Sequence, residues 1–219
     1  MKKLLMFDLD GTLVDTLPSI TDAINMCAEH FGYPKKTSSE VRLAVGNGVD
    51  VLLRETMPKD AWDDETQRGE IKRYFAQCYE ITQKEINSCY DGIMDVLNCA
   101  KERGFAISVL SNKPDPLVKI IAENLFPKGL ICESVGQTDM PKKPDPFVPL
   151  LMAKNMDVLP ENTYFIGDSE VDVLTGKNAG MKTVAVSWGF RDRAVLEAAE
   201  PDVIIDSTAQ LLSYFRELE

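Results

Sequence analysis

The segment Leu4-Leu5-Met6-Phe7-Asp8-Leu9-Asp10-Gly11-Thr12 joins a short apolar run to two acids and a glycine. A run of this length that ends in an acidic turn is typical of a strand buried on both faces of a parallel sheet. A lone buried strand cannot satisfy its backbone hydrogen bonds. The segment therefore predicts a sheet whose other strands lie further along the chain.

Those partner strands are predicted in the second half of the sequence. From Asp91-Gly92 onward, strand and helix patterns alternate, which predicts a doubly wound parallel α/β sheet. The predicted strands are 105–110, 130–135, 163–167, 182–187 and 202–205, and the predicted helices are 92–103, 115–125, 146–156, 170–180, 192–199 and 208–218.

Residues 17–87 show a different pattern. Apolar residues recur from Ile20 to Phe31 at the spacing of an amphipathic helix, which Gly32 ends, and helical pattern continues to about residue 86. This stretch contains no convincing strand. We therefore expect residues 1–16 and 88–219 to form a Rossmann-like core, with residues 17–87 inserted as an all-helical cap domain.

The composition limits the classes of protein that fit. The 219 residues carry 35 acidic and 24 basic side chains, and the net charge of −11 disfavours nucleic acid as a partner. No apolar run approaches the ~20 residues of a transmembrane helix, and the run before Asp8 is too short for a signal peptide. We expect a cytoplasmic protein, a monomer or homodimer, without a membrane partner. The widely spaced cysteines favour reduced thiols at Cys27, Cys78, Cys89, Cys99 and Cys132.

Several acidic and polar residues come directly after predicted strands. Ligands of an open parallel sheet bind beyond the carboxyl ends of its strands, so these residues are candidates for a functional site. They are Asp8 and Asp10 after the first strand, Ser111, Asn112 and Lys113 after strand 105–110, Asp168 and Asp172 after strand 163–167, and Lys143 before helix 146–156. Clustered carboxylates repel one another unless a cation lies among them, and oxygen ligands favour Mg²⁺. The sequence therefore predicts a magnesium site at this edge.

Each motif has an ordinary structural explanation when it is taken alone. Asp-x-Asp can simply end a strand, Ser111 or Asn112 can cap a helix, and Lys142 with Lys143 can be a solvated pair. Their joint placement at one edge of the sheet is what favours a functional site.

Two other interpretations fail on particular residues. A calcium loop starting at Asp8 would need glycine where Leu13 stands and glutamate where Ser19 stands. A serine hydrolase centred on Ser169 would need a base, and the single histidine, His30, falls in the helical insertion.

The turn Gly46-Asn47-Gly48 is a weak nucleotide-binding signal. No strand precedes it, and Val51 stands where a third small residue is needed. We expect a turn between helices, which would face the substrate if the insertion folds over the edge of the sheet.

Taken together, four segments resemble the haloacid dehalogenase-like phosphatase superfamily across essentially the whole chain. They are Asp8-Leu9-Asp10-Gly11-Thr12, Ser111-Asn112, Lys143-Pro144, and Gly167-Asp168-Ser169 with Asp172. Within the superfamily, the chain looks most like the phosphoglycolate phosphatases. The features that carry this likeness are the helical insertion, the segment Val45 to Leu52, and the segment Trp188-Gly189-Phe190-Arg191.

The resemblance implies a reaction and a role for each residue. Asp8 would attack phosphorus and form an aspartyl-phosphate, and Asp10 would protonate the leaving group and then deprotonate water. Asp8, Asp168 and the main-chain carbonyl of Asp10 would bind Mg²⁺, with Asp172 beside these ligands. Ser111 and Asn112 would bind the phosphoryl group, and Lys143 would neutralise its charge. Thr12 would orient the first loop at the substrate, and Gly46, Asn47 and Gly48 would contact the substrate.

The expected substrate is a small phosphorylated metabolite, 2-phosphoglycolate, hydrolysed to glycolate and phosphate. The same architecture also fits a pyrophosphatase, a nucleotide or sugar-phosphate phosphatase, or a phosphomutase. Carbon–halogen displacement needs no acid at Asp10, so a dehalogenase is disfavoured. A phospho-accepting signalling module is the alternative from another class, and the inserted cap argues against it. Candidates to bind a substrate carboxylate are Arg42, Lys113 and Arg191.

Overall fold

The computed structural model describes residues 2–83 and 87–218, together with the helical backbone of 84–86. The chain forms two compact units. One consists of Met1–Asp15 and Cys89–Glu219, and the other of Thr16–Ser88.

The first unit is built on a six-stranded parallel sheet, whose strands are β1 (Leu4–Phe7), β4 (Ala106–Pro114), β5 (Glu133–Gln137), β6 (Thr163–Gly167), β7 (Lys182–Val186) and β8 (Val203–Ile205). Their order across the sheet is β5-β4-β1-β6-β7-β8. Two further strands of two residues each, β2 (Val14–Asp15) and β3 (Ser88–Cys89), pair with each other. The predicted doubly wound parallel sheet is confirmed, with β1 at its centre.

Helices cover both faces of this sheet. The side chains of β1 alternate: Leu5 and Phe7 enter the apolar cluster on one face, and Leu4 and Met6 enter the cluster on the other. The first cluster includes residues of α6 (Ile93–Glu102), α7 (Asp115–Leu125) and α11 (Thr208–Glu217), and the second includes residues of α8 (Phe147–Asn155). The unit also contains α9 (Glu170–Asn178) and α10 (Arg193–Ala198), which share a small cluster with β7. Burial on both faces explains why β1 is an unbroken apolar run.

Two strands differ from the sequence prediction by more than one residue at an end. β4 continues to Pro114 instead of ending at residue 110, because Pro114 pairs with Gln137 of β5 after an irregularity in the register. Ser111 and Asn112 therefore lie in the strand and do not cap α7, whose N-cap position is Pro114. β5 begins at Glu133 instead of 130, because a turn closes where Leu130 N donates to Pro127 O.

The second unit consists mainly of helices. They are α1 (Leu17–Phe31), α2 (Ser38–Ala44), α3 (Val49–Thr56), α4 (Lys59–Asp63) and α5 (Glu65–Ile86). α1 packs against α5, and Gly32 ends α1 in a left-handed conformation with φ of 72°. Gly46 and Gly48, between α2 and α3, have φ values of 112° and 90°, which favour glycine at both positions.

Among the described residues, no helix combines the length and the apolar character that a membrane span requires.

Candidate active site

Asp8 is the first residue after the central strand. Its backbone N–H donates to Ile166 O of β6 at 2.8 Å, which continues the ladder by one residue and fixes where the side chain leaves the sheet. The residue is 7% exposed, and Lys143 Nζ lies 2.9 Å from its Oδ1. The end of β1 thus presents a buried carboxylate next to an ammonium group.

Lys143 links two of the acids. Its Nζ donates to Asp172 Oδ1 at 2.6 Å and reaches Asp8 on its other side. The carboxamide of Asn112 holds the Lys143 backbone from both directions: Lys143 N donates to Asn112 Oδ1 at 2.9 Å, and Asn112 Nδ2 donates to Lys143 O at 3.2 Å. The end of β4 therefore positions the lysine loop.

Asp168 follows β6 and is 2% exposed. Its Oδ1 accepts a hydrogen bond from Thr12 Oγ1 at 2.9 Å, and its Oδ2 accepts one from Phe190 N at 2.7 Å. Thr12 comes from the loop after β1 and Phe190 from the loop after β7. Three neighbouring strand ends thus meet at this carboxylate.

Glycines allow these close approaches. A β-carbon at Gly11 or Gly189 would overlap the Asp168 carboxylate, and one at Gly167 would overlap Asp172. Gly11 also has φ of 82°, so a side chain there would be strained as well as crowded.

Asp172 lies in the first turn of α9. Its Oδ2 accepts hydrogen bonds from Ser169 Oγ at 2.6 Å and Ser169 N at 3.1 Å, which completes a capping box, while Oδ1 accepts from Lys143. Both oxygens have partners, so the residue holds Lys143 relative to the helix end.

Asp10 forms an ion pair with a second lysine, Lys113. Lys113 Nζ donates to both carboxylate oxygens, at 2.7 Å to Oδ1 and 3.0 Å to Oδ2. The two side chains are 4% and 12% exposed. The carboxylate of Asp10 is therefore held by a different lysine from the one that contacts Asp8.

Burial changes the proton affinities of the site. It raises the pKa of Asp8 to about 6, against the opposing effect of Lys143. Burial, together with the nearby Asp172 and Asp8, raises the pKa of Asp168 to about 8. Burial would lower the pKa of Lys143, but Asp172 and Asp8 outweigh it and raise the pKa above its ordinary value.

A divalent cation fits this arrangement. Carboxylate oxygens of Asp8, Asp168 and Asp172 lie within 4.8 Å of one another. Asp8 Oδ1 is buried, and its contact with Lys143 Nζ at 2.9 Å lacks hydrogen-bond geometry. Four acids and two lysines leave an excess of two negative charges when all are ionised. An oxygen-only donor set with this excess suits Mg²⁺.

The remaining candidate residues from the sequence do not all lie in the acidic cluster around Asp8. Ser111 is 4% exposed in β4, and its Oγ accepts from Lys113 N at 3.4 Å. Gly46, Asn47 and Gly48 belong to the second unit, as does Arg42 of α2. Arg191 donates from Nε to Glu170 Oε2 at 3.0 Å.

His30 is exposed in the last turn of α1 in the second unit. Its ring stacks on Tyr74, with centroids 3.9 Å apart.

Comparison with known proteins places the chain in a family. A family model described as haloacid dehalogenase-like hydrolase matches residues 5–186. The chain belongs to this family. The resemblance inferred from the four sequence motifs is confirmed.

Individual haloacid dehalogenase-like relatives align over almost the whole chain. Phosphoglycolate phosphatase from Vibrio vulnificus (strain YJ016) is 30% identical over 216 residues, which cover 96% of this chain and 94% of the relative. Phosphoglycolate phosphatase 1 from Pseudomonas aeruginosa is 31% identical, covering 97% and 79%. The crystal structure of a predicted phosphoglycolate phosphatase from Haemophilus somnus 129pt superposes with a TM-score of 0.90 at 28% identity and covers 97% of both chains.

Two features of this haloacid dehalogenase-like site were not predicted from sequence. The pairing of Lys113 with Asp10 was not predicted, because the sequence placed Lys113 at this edge of the sheet and among the substrate-binding candidates without indicating its partner. The loop after β7 was expected to matter only through the resemblance of Trp188-Gly189-Phe190-Arg191, and the hydrogen bond from Phe190 N to Asp168 Oδ2 was not predicted. The rule that ligands bind at the carboxyl ends of parallel strands, applied to β7, points to this loop as part of the site.

Proposed function

We propose that this chain is a magnesium-dependent phosphatase that hydrolyses 2-phosphoglycolate to glycolate and phosphate through an aspartyl-phosphate on Asp8. The observation that carries the proposal is the buried cluster in which Lys143 bridges Asp8 and Asp172, with Asp168 close by. The relatives named phosphoglycolate phosphatase, aligned over nearly the whole chain, support the substrate.

The first half of the proposed reaction forms the covalent intermediate. An Asp8 carboxylate oxygen attacks phosphorus, and the bond from phosphorus to the ester oxygen breaks. The departing glycolate oxygen takes a proton from Asp10. Lys143 offsets the negative charge of the phosphoryl group against Asp8, and Ser111 and Asn112 at the end of β4 hold phosphoryl oxygens.

The second half regenerates the enzyme. Asp10 takes a proton from water as the water oxygen attacks phosphorus, and the bond between phosphorus and the Asp8 oxygen breaks. Phosphate leaves and the Asp8 carboxylate is restored.

The residues that would hold Mg²⁺ are Asp8, Asp168 and the main-chain carbonyl of Asp10. When bound, the ion supplies charge stabilisation to the transferring phosphoryl group. Thr12 and Phe190 orient Asp168 for this task through the two hydrogen bonds to its carboxylate.

The helical unit is proposed to act as the cap that sets specificity, with Gly46-Asn47-Gly48 contacting the substrate. Gly46 and Gly48 support this role, since glycine lets a ligand approach the backbone closely.

A screen of phosphate esters with Mg²⁺ tests the proposal. The panel contains 2-phosphoglycolate, pyrophosphate, nucleoside monophosphates and sugar phosphates, compared by kcat/KM. We expect 2-phosphoglycolate to have the highest value. A higher value for another ester would reassign the substrate, and a stable phosphoenzyme without steady phosphate release would indicate a signalling module.

Asp8→Asn tests the nucleophile in the same assay. We expect turnover to fall by roughly 10³-fold or more with the fold retained, because the carboxamide cannot form the intermediate. Asp95→Asn, an exposed acid on α6, is the matched control and should keep wild-type turnover. Near-normal turnover of Asp8→Asn would contradict the mechanism.

A further inference from the structure

The ion pair between Lys113 and Asp10 is a buried element of the site with no role assigned so far. The ammonium group contacts both carboxylate oxygens, at 2.7 and 3.0 Å. With the side chains 4% and 12% exposed, the pair is shielded from solvent, and removing one partner would leave the other charge poorly compensated. An arrangement this enclosed fixes the position of the carboxylate.

The sheet explains how residues 103 positions apart meet. β1 and β4 are parallel neighbours, with Phe7 opposite Val109. Asp10 lies three residues beyond Phe7 and Lys113 four residues beyond Val109. Because β4 continues to Pro114, Lys113 is carried on a strand and not on a loop.

The site thus uses a separate lysine for each acid with a proposed chemical role. Lys143 lies against Asp8, and Lys113 lies against Asp10. The strand residue next to Lys113, Asn112, holds the Lys143 backbone. Two consecutive residues at the end of β4, Asn112 and Lys113, therefore act on two different groups, the Lys143 backbone and the Asp10 carboxylate.

We propose that Lys113 is the positioning residue for Asp10, and that it holds the carboxylate where proton transfer to the leaving group and from water takes place. The inference rests on the proposed phosphatase function. The alternative role for Lys113 is binding of the substrate carboxylate, and the occupation of its ammonium by both Asp10 oxygens argues against that role.

Three esters separate these roles when Lys113→Met is compared with the wild type. 2-Phosphoglycolate and 2-hydroxyethyl phosphate both release an alkoxide that needs a proton, but only the first has a carboxylate. 4-Nitrophenyl phosphate releases a stable phenolate. Since general acid catalysis contributes about 10²- to 10⁴-fold, we expect kcat/KM to fall by about 10- to 100-fold for both alkyl esters and by less than about 3-fold for the nitrophenyl ester.

The same substitution in an Asp10→Asn background tests whether Lys113 acts through Asp10. If it does, Lys113→Met has less than about a 2-fold further effect there, because the effects of residues that act as a unit are not additive. Lys119→Met, at an exposed lysine paired with Asp115 on α7, is the matched control and should leave all three values unchanged.

Several outcomes would overturn the inference. A fall confined to 2-phosphoglycolate would assign Lys113 to the substrate carboxylate, and a full effect in the Asp10→Asn background would separate it from Asp10. A wild type that hydrolyses none of the esters would contradict the proposed function. The ion pair between Lys113 and Asp10 is then tested by urea unfolding of the wild type, the two single variants and the double variant. Additive changes in unfolding free energy would overturn the pairing, and non-additive changes would support it.

Discussion

Asn112 positions Lys143 through an uncharged carboxamide that bonds to the lysine backbone. Its carboxamide accepts from the lysine N–H and donates to the lysine carbonyl, so it pairs with the peptide group of a residue 31 positions away. Both groups are buried, and each needs a partner. The distance between Lys143 Nζ and the Asp8 carboxylate therefore depends on a side chain that holds the lysine by its main chain.

Asn112→Ala should slow turnover as well as destabilise the protein. The change leaves the buried backbone groups of Lys143 without partners, so we expect a loss of about 1–3 kcal/mol in the free energy of unfolding. Displacement of the ammonium by even 1 Å should lower kcat by up to about 100-fold. Urea unfolding and phosphate release with saturating Mg²⁺ measure the two effects.

Asn178→Ala is the control for that variant. Asn178 Nδ2 donates to Pro144 O, in the same loop, at an exposed position. We expect a loss below about 1 kcal/mol and little change in kcat, since water can replace this donor. Equal kinetic effects of the two variants would show that Asn112 has no special part in placing Lys143.

At the scale of elements, the sequence predicted the strands that have strong local patterns. β1 and β6 have the predicted bounds, because each is an apolar run buried on both faces. The extension of β4 to Pro114 was not predictable, since residues 111–114 are polar or proline and join the strand only by pairing toward β5. β2 and β3 have two residues each, which is too short for any periodicity.

The sequence likewise predicted the location of the site but not its internal contacts. The rule for parallel strand ends placed the acids at one edge, but it did not say which side chains pair. Lys113 with Asp10 and Asn112 with Lys143 are contacts between distant parts of the chain, and sequence spacing does not encode them.

The loop after β7 supports Asp168 and tolerates no side chain at Gly189. A β-carbon there would overlap both Asp168 and the main-chain oxygen of Gly11. For Gly189→Ala we expect a loss of about 1–3 kcal/mol in unfolding free energy, because backbone and carboxylate must both shift. We also expect the stabilisation by Mg²⁺, measured as a shift in Tm, to disappear.

Gly69→Ala makes the same chemical change within α5, where the new β-carbon meets open space. Alanine is the better helix former, so this variant should gain about 0.5–1 kcal/mol and keep its response to Mg²⁺. A Gly189→Ala protein that is as stable as the wild type and still responds to Mg²⁺ would rule out the packing argument.

At the scale of the whole molecule, a net charge of −11 opposes the approach of an anionic ester. The site counters this field locally with Lys113 and Lys143, both of which are buried. The same enclosure makes its carboxylates costly to ionise, which links the stability of the protein to pH and, through the proposed metal site, to Mg²⁺.

Asp168 determines whether stability rises or falls with pH. Its pKa rises from 3.8 to about 8 on folding, so between these values the folded protein binds more protons than the unfolded chain. Without Mg²⁺, the contribution of this group is therefore most favourable at low pH and is lost as pH rises toward about 8.

Mg²⁺ should reverse this trend, because it binds the ionised carboxylate and must displace the proton at lower pH. Below about pH 8 the apparent affinity should fall by up to about tenfold per pH unit for each proton displaced. We therefore expect excess MgCl₂ to raise Tm more at pH 8 than at pH 6. Asp168→Asn should show no Mg²⁺ shift at either pH, and without Mg²⁺ at pH 8 it should melt above the wild type, since the buried charge is gone. An equal or larger Mg²⁺ shift at pH 6 in the wild type would exclude Asp168 as the carboxylate whose ionisation limits metal binding.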